Sequence, residues 1–101
     1  MKTVLNFSHP LNPDAARVLQ EEYGVQEIVQ VPFHLDTNRP IVPQVAEVTS
    51  AVRKEHGEPD YIILPGFAPA AVLVARAFPR AKIVRLAAQG TPPKWMPVEV
   101  L

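Results

Sequence analysis

The chain has no cysteine. A disulfide framework, a thiolate zinc site and a cysteine nucleophile are therefore excluded, and the usage fits a reducing cytoplasm. Glycine is scarce too, at four residues. The dinucleotide and P-loop signatures need glycines just after the first strand so that backbone amides can approach phosphates, and here that place reads Asn6-Phe7-Ser8-His9-Pro10. Neither sign of charge is in excess: 10 basic and 10 acidic residues cancel. No overall basic field exists to draw in long nucleic acid, so any anion must be met by a local cluster. Long hydrophobic runs are missing as well. The most apolar stretch, Tyr61 to Ala77, is broken by Pro65, Gly66 and Pro69 and is too short to span a bilayer. The opening MKTVLNF enters a strand pattern without a leader-like apolar core, so a cytoplasmic chain with no membrane partner is expected.

Proline, by contrast, is abundant, at twelve of 101 residues. Where its fixed φ suits the fold, it lowers the entropy of the unfolded chain. At this length one domain over residues 1–101 is expected, with a single body of core and no room for a second domain.

In chain order, Val4, Leu5 and Phe7 mark a short strand that stops at polar Asn6, Ser8 and His9. Asn12 suits an N-cap, Pro13 the first helical position and Asp14 the first turn, and the helix closes at Gly24. Val25 to Phe33 reads as a second strand and Ile41 to Lys54 as a second helix, with His56, Gly57 and Pro59 as stop signals. Asp60 to Leu64 is nearly all apolar, as expected of a central parallel strand. The third helix runs to Phe78 with Arg76 as its only charge. So apolar a helix predicts cover on both sides, the second being another subunit packed over Val74. Lys82 to Ala88 reads as a fourth strand, and Met96, Val98 and Val100 as a last strand that Pro97 confines to an edge or a bulge. The order β-α-β-α-β-α-β-β predicts an α/β fold: a mainly parallel sheet with helices on both faces, a three-layer sandwich.

In such sheets ligands sit at the carboxyl ends of the strands. Four groups are expected there: Asn6, Phe7, Ser8 and His9 after the first strand, Phe33 and His34 after the second, Pro65, Gly66 and Phe67 after the third, and Arg85, Gln89, Gly90 and Thr91 in or after the fourth. Singly, each has a plain role: Asn6 and Ser8 in turn-making, His34 in a loop, Phe33 and Phe67 in the core, Arg85 at a sheet edge. Trp95 reads as cover for the last strand, and Lys94 and Arg39 as solvated charges. Together the opening turn reads as a ligand contact, so Asn6, Ser8 and His9 are expected to matter more to binding than to folding. A phosphoacceptor aspartate is missing, since Leu64 and Pro65 hold its place. His9, His34 and His56 lie on separate segments, so neither a metal site nor a cofactor is expected.

Three segments, VLNFSHPLNPD, VPFHLDTNRPIVPQV and KIVRLAAQGTPPKW, resemble the small CRISPR-associated Csx fifteen proteins of type III loci. The resemblance implies a Rossmann-like domain related to the CARF sensor domains. It also implies dealings with cyclic oligoadenylate messengers, cyclic tetra-adenylate above all, at the cleft of a homodimer that forms a larger assembly with ligand. Helix N-termini would face the phosphates of the ring. The family is grouped with ring nucleases. Three readings stay open: sequestration of the ring, metal-independent cleavage with His9 as the catalytic group, and a ligand-free adaptor.

Overall fold

The computed structural model describes all residues, Met1 to Leu101. Its elements are β1 (Thr3–Asn6), α1 (Pro13–Tyr23), β2 (Glu27–Gln30), α2 (Ile41–His56), β3 (Tyr61–Ile63), α3 (Ala68–Ala77), β4 (Lys82–Gln89) and β5 (Lys94–Val100). The five strands form one sheet in the order β2-β1-β3-β4-β5, in which β1 to β4 run parallel and β5 runs antiparallel to β4. The chain is an α/β domain with a mostly parallel sheet and three helices. None of the helices is long and apolar enough to cross a membrane.

Alternation along the central strands divides the core between the two sheet faces. Leu5 and Ile62 pack with Val45 and Val52 of α2 and with Ala70, Val74 and the following Phe78 at α3. Val4, Tyr61, Ile63 and Val84 pack with Leu19 of α1 and Val25. Complete burial of a side chain such as Leu5 or Leu19 stabilises the fold by roughly 1.5–3 kcal/mol each.

The first helix forms as its local signals dictate. Asn12 Oδ1 accepts from the Ala15 amide at 2.8 Å, Pro13 opens the helix, and Gly24 ends it in the left-handed region at φ 69°. α2 runs past Lys54 to His56 before Gly57 ends it at φ 75°. β2 is shorter than the apolar pattern of residues 25–33: an edge strand is only as long as its partner, and β1 offers it Thr3 to Asn6. Pro97 sits on the edge strand β5 and also at a bulge, where the pairing steps from Arg85–Glu99 to Leu86–Pro97.

α3 corrects one detail. Val74 is completely buried in the core, so it is not available to a partner. The exposed large apolar groups on that element are Val72, at 49%, and its N-cap Phe67, at 44%.

Candidate functional site

The strand order reverses at β1. The chain leaves β1 for β2 on one side, then crosses through α2 to β3 on the other, and the loops after β1 and β3 part to leave a crevice. Open α/β sheets bind ligands at such a switch point.

Asn6 shapes the loop on the β1 side. It is completely buried, and every polar atom of its amide is used. Nδ2 donates to the carbonyl of His9 and to Gln30 Oε1, both at 2.9 Å, while Oδ1 accepts from the Ser8 amide at 2.9 Å. Gln30 Nε2 in turn donates to the Ser8 carbonyl at 2.7 Å. Four hydrogen bonds thus fix the backbone from Asn6 to His9. Only main-chain atoms of Ser8 and His9 take part, so the Ser8 hydroxyl and the His9 imidazole stay uncommitted at the tip. This corrects the expectation that Asn6 matters little to folding: it is the scaffold of the turn.

Two clefts flank that tip. The first, of about 810 Å³, lies between the turn and the β4–β5 hairpin. Its lining includes Ile63, Leu64, Ile83, Leu86, Arg85 and Trp95. The second, of about 590 Å³, lies toward β2 and is lined by Phe7, Phe33, His34, Pro65 and Phe67 among others. Ser8, His9, Pro10 and Gly66 belong to both. The structure thus brings most of the expected residues to one crevice, split between its halves. Asn6 lies beneath it, and Gln89, Gly90 and Thr91 line neither cleft, because β4 runs on into a hairpin that carries them away. Phe7, 2% exposed, packs edge-on against Phe33 with ring centres 5.7 Å apart and serves chiefly as core.

Of the hairpin wall of the first cleft, the pattern of residues marks Arg85 but neither Lys94 nor Trp95. Asn12, besides capping α1, donates through Nδ2 to the Trp95 carbonyl at 3.0 Å, and Lys94 Nζ meets Asp14 Oδ2 at 2.7 Å. These contacts stitch the start of α1 to β5. The hydrogen bond and charge of Lys94, then the charge of Arg17, hold the Asp14 carboxyl below its ordinary value of 3.8. Lys94 is therefore paired rather than simply solvated, and Trp95 is 62% exposed rather than packed over the last strand. Arg85 both reaches solvent and pairs: its Nε meets Glu99 Oε1 at 2.5 Å across the β4–β5 ladder.

Ser8 has no base hydrogen-bonded to it, as an activated nucleophile requires. No three His, Asp or Glu side chains converge as metal ligands would. α3 begins at Phe67 without a side-chain cap, beside Gly66 in the crevice wall, so its first amides are not taken up by a capping side chain. Compared with family models, curated proteins and solved structures, the chain matches none.

Proposed function

We propose that the chain binds a cyclic oligoadenylate messenger of type III CRISPR signalling, with cyclic tetra-adenylate favoured, and damps the response by sequestering it in the cytoplasm. In this reading the chain is a Csx fifteen protein, and its sheet is the Rossmann-like, three-layer core of a CARF-like sensor. The observation that carries the proposal is the rigid turn at the switch point, with Ser8 and His9 free at a tip shared by two clefts. A macrocycle of bases and phosphates is wider than one pocket and has several copies of each group, so adjoining clefts around a donor-bearing tip suit it.

A two-fold homodimer would present two such tips to one ring, which is itself rotationally symmetric. The groups left for a partner on the α3 side are Val72 and Phe67. Light scattering should give a dimer for the parent chain and a shift toward monomer for Val72→Arg; a monodisperse parent monomer at micromolar concentration removes the dimer from the proposal.

Holding is favoured over cutting, because cleavage needs a 2′-hydroxyl in line with its phosphate, a base to deprotonate it and a cation on the phosphoryl oxygens. The His9 imidazole stands without an orienting hydrogen-bond partner, and no base is set beside it to complete such a constellation. Radiolabelled cyclic tetra-adenylate incubated with the chain should stay intact while raising the melting temperature. Linear products would replace sequestration by ring-nuclease activity. No thermal shift with any cyclic oligoadenylate would leave the adaptor reading.

A further inference from the structure

Trp95 is the only tryptophan of the chain, and it is exposed on the wall of the larger cleft. What sets this ring apart from a lone exposed side chain is its place on the wall of a concave, largely apolar cleft, the setting in which ligands are held. The backbone beneath it is fixed. Its carbonyl is held by Asn12, its neighbour Lys94 is tied to Asp14, and the two residues pair with Ala88 and Gln89 in the hairpin ladder.

The rest of the lining is complementary. Ile63, Leu64, Ile83 and Leu86 supply apolar surface, and Arg85 and Lys94, each already in an ion pair, supply cationic hydrogen-bond donors. Glu99 engages the Nε of Arg85, and Asp14 accepts from Lys94 Nζ, so hydrogens remain free on both cations. An open indole, apolar walls and two partly free cations fit a group that is flat at one end and anionic at the other. A nucleotide has that form.

We infer that Trp95 is the base platform of this site: one base of the bound oligonucleotide stacks on the indole, and the adjoining phosphodiester takes the free hydrogens of Arg85 and Lys94. The assignment rests on the reading of the chain as a cyclic oligoadenylate binder. It puts the stacked base on the hairpin side of the turn, at a residue the sequence pattern assigned to covering a strand.

The test titrates the whole chain with cyclic tetra-adenylate, followed in parallel by calorimetry and by the emission of Trp95. Emission should change with the midpoint of the heat. Trp95→Ala should weaken binding by about 5- to 150-fold, the range for losing one base–aromatic stack, and Trp95→Phe should keep most of the affinity. Both variants should melt close to the parent, because Asn12 holds the main chain of residue 95 and not its ring. Heat in the parent with unmoved emission and unchanged affinity in Trp95→Ala overturns the platform and leaves ring binding standing. No heat in the parent overturns both.

Discussion

On the hairpin side of the Ser8 to Pro10 turn, the cleft carries Arg85, Lys94 and an open tryptophan; on the β2 side it carries His34, three phenylalanines and neither lysine nor arginine, while His9 lines both. The aromatic rings also differ in kind. Phe7 and Phe33 are packed against each other and lean on the core around Phe78, so their faces are largely spent inside the protein. Trp95, 62% exposed, keeps most of its surface open. An aromatic residue beside a cleft is therefore poor evidence of a contact until its cover is known. Here the aromatic-rich side is scaffold at Phe7 and Phe33 and open only at Phe67, and the side with fewer rings has the apolar surface and cationic donors a nucleotide needs.

The sharpest way to break this contrast is to remove the scaffold. Phe7→Ala should cost about 3–5 kcal/mol of stability in denaturant unfolding, as deletion of a buried ring does. A loss under 1 kcal/mol would mean that Phe7 is free to serve ligand instead. Asn6→Ala should cost about 2–4 kcal/mol, because it strands the Ser8 amide and the His9 carbonyl beneath the turn. A parent-like melt with weakened binding would return Asn6 to the role of a ligand contact.

The sequence shows these two positions only in part. Asn6 is recognisable as a polar stop after an apolar strand, but its bonds depend on Gln30, which pairs with it only once β1 and β2 lie in register. The caps of α1 are legible because Asn12, Pro13 and Gly24 act within one turn of themselves. The nearly unbroken apolar runs of β1 and β3 likewise foretell a buried parallel centre, and Pro97 foretells a disturbed edge. By contrast, Lys94 meets Asp14 across 80 positions of chain, and no local pattern announces that pairing or the exposure of Trp95 that accompanies it. Val74 and Val72 are equally apolar, and only the packed helix tells which one faces the core.

Smaller effects sharpen the picture at the tip. Ser8→Ala and His9→Ala should melt within a few degrees of the parent and weaken cyclic tetra-adenylate binding by about 1–3 kcal/mol each, the range for a hydrogen bond to a charged group. Unchanged binding in both would confine the turn to a structural role.

The smallest effect concerns the stitch between α1 and the hairpin. Lys94 lowers the Asp14 carboxyl in the folded chain, so the contribution is fully present above the ordinary value of 3.8 and is lost as pH falls through the lowered folded value. Asp14→Asn should therefore differ slightly from the parent in melting temperature near neutral pH and converge with it in strong acid. A difference that persists below both values would assign the effect to something other than this ion pair.

The most direct measurement is a calorimetric titration of the purified chain with cyclic tetra-adenylate at two salt concentrations. Saturable binding at one ring per two chains is expected. The affinity should fall only shallowly with salt, since the charge-balanced chain offers the phosphates just Arg85 and Lys94 in the larger cleft together with amides and hydroxyls. Absence of heat would mean that the chain is no receptor for this ring, and a steep salt dependence would mean an extended basic surface in place of the two local cations.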